Sequence, residues 1–174
     1  MRRLPLACLV LTLAASQAGC AALGGLEGLR ALIQPPQFSE ADGQPAEIRL
    51  LGPGQGAGPL GGAAIRLYTR VRNPNPFGLT LRTLSGDLFL EGGRAAGADF
   101  PLGLPLTAGG DAVIPLDLRV SFADIPGLAD AIRRAVSGQA LSYRLDGTVG
   151  VEAGQLGTPT FGPMTLLTGQ LRAR

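Results

Sequence analysis

The chain has 174 residues, 45% of them hydrophobic, with a mean hydropathy of +0.25, which allows one domain with a proper buried core. Its 15 basic residues, all arginine, face 13 acidic ones; with Arg2 and Arg3 assigned to a leader and no Trp anywhere, neither the basic footprint nor the stacking platform of a nucleic-acid binder is present. Histidine is absent, which excludes Ser-His-Asp and Cys-His catalysis and removes the commonest metal ligand.

The first twenty residues, MRRLPLACLVLTLAASQAGC, have the layout of a bacterial secretory signal: a basic start, an apolar core from Leu4 to Ala15 and small residues before Cys20. The apolar segment is too short to span a bilayer. Gln17-Ala18-Gly19-Cys20 resembles the lipobox of bacterial lipoproteins, with Gln17 where Leu is usual; the resemblance implies a signal peptide over 1–19 and acylation of Cys20. Ordinary cleavage after Ala18 is the alternative. Cys8 lies in the leader, so Cys20 is the sole cysteine of the expected mature chain and no disulfide forms within it. Ala21 stands where an inner-membrane retention signal would place Asp, which favours the outer membrane where the organism has one. Residues 20–45, rich in Gly, Pro and small polar residues, read as a tether, although Leu26, Leu29 and Ile33 form a weak apolar pattern able to dock on a domain.

The folded domain is expected over 46–174. Twenty-seven glycines and 14 prolines scattered between apolar runs point to many turns and short strands. AEIRLL reads as a first strand. GPGQGAGPLGG follows it without the Lys and Ser/Thr of a phosphate-binding loop, so it reads as a hairpin connection. In AAIRLYTRVR, Ile65, Leu67, Thr69 and Val71 share one face and Arg66, Tyr68, Arg70 and Arg72 the other. After RNPNPFG the alternation resumes with Leu84, Gly86, Leu88 and Leu90 against Asp87, Phe89 and Glu91, and GGR makes a turn. AAGADF supplies a further strand. DAVIPLDLRVSF sets Ile114, Leu116, Leu118, Val120 and Phe122 on alternate positions, with Pro115 outward as on an edge strand. Residues 124–137 change period: Asp124 is the expected cap, Pro126 suits the first turn, Leu128, Ala131, Ile132, Ala135 and Val136 form a helical stripe, and Gly138 ends it. Alternation returns at Leu141, Tyr143, Leu145, Gly147, Val149 and Val151, and TLLTGQLR closes the chain. The expectation is all-β: a two-sheet antiparallel sandwich of about seven strands with one short helix.

Asp87 with Glu91 and Asp117 with Asp146 are the nameable acid/base pairs, but each falls on the polar face of a strand, where solvated charge is the default. Tyr143 shares a face with apolar neighbours and reads as core; Tyr68, among arginines, reads as surface. No catalytic residue, cofactor or metal is expected. The Asn-Pro pairs of 73–76 interrupt a strand pattern, and since proline denies the ladder a donor while biasing the preceding residue to extended geometry, they read as a fixed bend or bulge on a sheet edge that keeps Val71 and Phe77 aimed at the core.

The order of these features, RVRNPNPFGLTL, SGDLFLEG, the PLGLPLTAGGDAVIPLDL run, a DIPGLADAI helix, YRLDGTVGV and GPMTL, resembles bacterial members of the late embryogenesis abundant type 2 family, which carry the water stress and hypersensitive response domain. Asn73, Pro74 and Asn75 match the family's hallmark, reinforced by Pro76, Phe77 and Gly86, with a structural role expected for all six. The resemblance implies an immunoglobulin-like or fibronectin-III-like sandwich without enzymatic activity, protective during water stress or desiccation. With the lipobox, it leads to a membrane-anchored domain of the cell envelope whose partners are the membrane, client proteins or lipid headgroups. The alternative is an envelope module binding lipid or peptide.

Overall fold

The computed structural model describes residues 32–55, 58–123 and 127–173. The leader, Cys20, the first part of the expected tether and the Asp124 cap with Pro126 lie outside the described residues. The described residues form eight strands, against the about seven expected: β1 Gln37–Glu40, β2 Glu47–Leu51, β3 Gly62–Arg72, β4 Leu79–Leu90, β5 Gly93–Leu106, β6 Asp111–Ser121, β7 Leu141–Glu152 and β8 Thr160–Ala173, with helix α1 Leu128–Val136 between β6 and β7. In one sheet β3 pairs along its whole length with β6, while β1 and β2 share its other side. The second sheet runs β5-β4-β7-β8, all antiparallel. A short parallel contact, Glu47 with Arg172 and Ile48 with Ala173, ties β2 to the end of β8 and joins the sheets along one side.

The period-two faces read from the sequence are the inner faces of this sandwich. Ile65, Leu67 and Val71 of β3 and Leu116, Leu118 and Val120 of β6 meet Leu81, Leu84 and Leu88 of β4 and Leu145 and Val149 of β7, all of them buried. Each such side chain contributes about 1.5–3 kcal/mol on leaving water, so alternation alone specifies which face turns inward. Helix α1 contributes buried Ala131, Ile132 and Ala135 and packs on β7 and β8. It starts at Gly127 without a side-chain cap and ends where Ser137 and Gln139 N–H groups bond the carbonyls of Arg133 and Arg134.

Among the described residues β6 pairs with β3 alone, so Pro115 sits on an edge strand, as its outward position implied. Three expectations change. β5 runs six residues beyond the expected AAGADF strand, from Phe100 to Leu106, through Pro101 and Pro105; among the described residues it pairs with β4 alone, and such an edge strand accommodates prolines that a central strand would not. The segment expected as a tether carries β1, and Ile33 and Ala41 at its two ends are buried. Finally, β3 stops at Arg72, and residues 73–78 cross from one sheet to the other. The Asn-Pro segment is therefore a corner between sheets, not a bulge within one strand, and Val71 is core while Phe77 is half-buried outside the core cluster.

Candidate functional site

The corner is built on two buried amides. Asn73 donates through Nδ2 to the carbonyls of Phe77 (2.8 Å) and Thr107 (2.9 Å), while its Oδ1 accepts from the backbone N–H (3.0 Å) and Nδ2 (2.9 Å) of Asn75. Both donors and both lone pairs are used, which removes the cost of burying the group. The side chain of Asn75 faces the incoming chain: its Oδ1 accepts from the N–H of Gln34 (2.8 Å) and its Nδ2 donates to the Gln34 carbonyl (2.9 Å). A side-chain amide here imitates a paired strand residue and clasps the backbone that leads into β1. The main chain completes the corner, Asn73 N–H bonding the Gly110 carbonyl and Gly109 N–H the Asn75 carbonyl, so the β5–β6 turn is tied to the same point. Pro74 is half-buried and Pro76 exposed, each fixing φ in a stretch without ladder bonds.

Gly86 lies at the centre of the second sheet opposite Gly147 of β7. A Cβ on Gly86 would collide with the Asp146 carbonyl oxygen and stand 3.0 Å from Gly147 Cα, and one on Gly147 would meet Ser85 in the same way. Both positions need glycine because two backbones approach there.

The carboxylate pairs dissolve on folding. Asp87 is bound to Arg94 (2.6 Å), and Glu91 accepts from the N–H (2.6 Å) and hydroxyl (2.8 Å) of Ser142. Asp117 is held by Arg66 on the first sheet, and Asp146, on the second, by Arg144 and Thr165. Hydrogen bonds from Ser142 lower the Glu91 pKa, and the Arg66 guanidinium lowers that of Asp117, opposite to the raised value a general acid needs. Tyr143 is core, its hydroxyl donating to Glu40 Oε1 (2.6 Å), whereas Tyr68 is half-buried on the outer face of β3. The glycine-rich stretch joins β2 to β3 as a hairpin. Among the described residues no three His, Cys, Asp or Glu side chains gather as a metal site, and no helix is long and apolar enough to cross a membrane.

Residues that the sequence pattern did not single out complete the picture. Gln34 and Glu40 tie β1 to the corner and to Tyr143, and register sets Arg49 and Arg119 on either side of Ala64 on the outer face of the first sheet, in a groove of about 480 Å³. None of them lies in a local motif; Arg49 and Arg119 become visible only through strand pairing, and Gln34 and Glu40 only through side-chain bonds to residues far along the chain.

Fold and polar network together define a small antiparallel sandwich whose buried polar groups at the corner hold backbone in place. The family model of the late embryogenesis abundant protein (LEA_2) matches residues 68–165, more than half of the chain, and the protein belongs to that family. Its fold is shared with the solution structure of AT1g01470 from Arabidopsis thaliana, at TM-score 0.55 and 15% identity over 82% of this chain and 85% of that one. A protein from Archaeoglobus fulgidus aligns at TM-score 0.42 and 12% identity, covering 73% and 92% of the two chains, and the late embryogenesis abundant protein At2g46140.1 at 0.47 and 20%, covering 85% and 79%. Among curated proteins none matches the sequence.

Proposed function

We propose that the protein is a non-enzymatic, lipid-anchored protective domain of the cell envelope, carrying the water stress and hypersensitive response type of fold and acting when water is withdrawn. Family membership is the observation that carries this reading, since it associates the chain with a stress-related role. Two features support it. The Gln17–Cys20 lipobox supplies an anchor, and the carboxylates first considered for catalysis are engaged by arginines or by Ser142. Thirteen residues, 21 to 33, separate Cys20 from the clasp at Gln34; the fourteen steps between them, at no more than about 3.6 Å each, keep the clasp within roughly 50 Å of the bilayer. There its polar faces shield client proteins or headgroups as hydration is lost. The alternative of a ligand held between the sheets is not favoured, because the facing leucines and valines are buried against one another.

Two experiments test the proposal. A labile enzyme dried with this domain should retain more activity than when dried with an equal mass of an unrelated β-sandwich, and equal recovery would refute protection. Labelled fatty acid should enter the wild-type protein and not a Cys20→Ala variant; label persisting in the variant would refute the anchor.

A further inference from the structure

The outer face of the first sheet carries two successive rows of side chains. In one, Glu47, Arg66 and Asp117 are register partners across β2, β3 and β6; in the next, Arg49, Ala64 and Arg119 are. The first row is largely self-neutralised, Arg66 forking onto Asp117 at 2.6 and 3.0 Å. The second is not. Arg49 and Arg119 are exposed, and neither makes a hydrogen bond or close ion pair among the described residues, Arg119 acting on Asp117 only at longer range. Their Cα atoms stand two strand spacings apart, about 9.5 Å, and between them only the Ala64 methyl rises from the sheet, which opens the groove of about 480 Å³. Three arginines there face two carboxylates, Glu47 and Asp117, of which Asp117 is already bound.

We propose that this groove binds a phosphate monoester or inorganic phosphate, gripped from both sides by Arg49 and Arg119 over Ala64. The choice of phosphate over carboxylate follows from valence and shape. One guanidinium fork saturates a carboxylate, as Arg66 does for Asp117. Two guanidinium forks based on either side of Ala64 suit a dianion with oxygens on both sides, which a phosphate monoester or free phosphate supplies. Lysine would offer only a point charge in each position. The site does not rest on the protective role or on the anchor; it belongs to the sandwich itself, and its test uses no drying assay.

The mature chain with Cys20→Ser is titrated with inorganic phosphate and followed by amide chemical shifts. Shifts are expected to concentrate at residues 47–49, 64–66 and 117–119. Arg49→Gln and Arg119→Gln should each weaken binding roughly 10-fold, while Arg72→Gln, which removes the same charge from the far end of β3, should leave it unchanged. Acetate should bind far more weakly than phosphate. Flotation with phosphatidylcholine vesicles, with and without phosphatidic acid, distinguishes the sources: binding that needs both phosphatidic acid and the two arginines assigns a lipid headgroup, and phosphate binding without flotation assigns a soluble phosphate compound. Shifts spread evenly over the surface, equal weakening by Arg72→Gln, or acetate binding as well as phosphate would overturn the site.

Discussion

Replacing Asn75 by Ala tests the corner directly. The substitution deletes the two bonds to Gln34 (2.8 and 2.9 Å) and the bond from Nδ2 to Asn73 Oδ1 (2.9 Å), from a side chain that is 1% exposed. At about 0.5–1.5 kcal/mol net for each hydrogen bond the loss spans roughly 1.5–4.5 kcal/mol. Two features pull it below the upper end: Gln34 is exposed, so water can take over its peptide groups, and Asn73 Oδ1 keeps the Asn75 backbone N–H. The expected cost is therefore about 2–3 kcal/mol, equivalent to a fall in Tm of about 4–12 °C for a domain of this size. Urea unfolding followed by circular dichroism gives the global figure. Hydrogen exchange at the Gln34 amide gives the local one, since that proton should lose protection while the β3–β6 ladder retains its own below the new global limit. Protective activity should survive until the fold is lost. A change under about 0.5 kcal/mol with Gln34 protection intact would show that the amide does not hold the incoming chain.

Gly86→Ala should cost about 3 kcal/mol or more, because the new methyl meets backbone of β7 with no flexible side chain to yield; a soluble variant with wild-type urea midpoint would contradict the close approach. Thr69 is fully buried and its hydroxyl has no partner among the described residues, so Thr69→Val should raise stability by about 1 kcal/mol, whereas a loss would reveal a hidden partner. Burial, and then the hydrogen bond to Glu40, raises the pKa of Tyr143 above its ordinary 10.0. The fold keeps this phenol protonated while the unfolded chain releases the proton near 10, so stability is whole below that pH and falls above it; in a Tyr68→Phe background phenolate absorbance should appear only together with loss of the folded circular dichroism signal. Glu91 and Asp117 act at the other end, their pKa values lowered by Ser142 and by Arg66 respectively. Their contribution is present above pH 4.5 and lost as pH falls below the ordinary carboxylate range, and Glu91→Gln should flatten that acid limb of a denaturation profile.

The inner faces of β3, β4, β6 and β7 were legible because burial on one side imposes a period of two that the sequence must obey. β5 was legible only in its first part. Its alternate residues are half-buried at a rim instead of enclosed, and its prolines read as breaks although an edge tolerates them. β1 was hidden for a different reason: QFSE has no alternation of its own, and what orders it is remote, Asn75 at Gln34 and Tyr143 at Glu40. The corner lay between these cases. Two Asn-Pro pairs announced a fixed backbone, yet whether it bends one strand or links two sheets depends on which partner β4 takes, and that choice is not local.

The same reasoning explains why the family motif and the N-terminal segment belong together. Asn75 is 41 positions from Gln34, and Tyr143 is 103 from Glu40, so both ends of a segment with little strand propensity are fastened by contacts that exist only once the two sheets have closed. Four residues of β1 pairing with β3 would by themselves be a marginal addition to the sheet. With the chain held through both peptide groups of Gln34, a pull applied to the chain ahead of it meets the Asn75 amide before it reaches the β1–β3 ladder. Asn73 passes that load to Phe77 and Thr107 across the corner, where both sheets share it. A buried, fully bonded asparagine pair suits this task better than apolar packing, since hydrogen bonds fix the direction as well as the position of the backbone they hold.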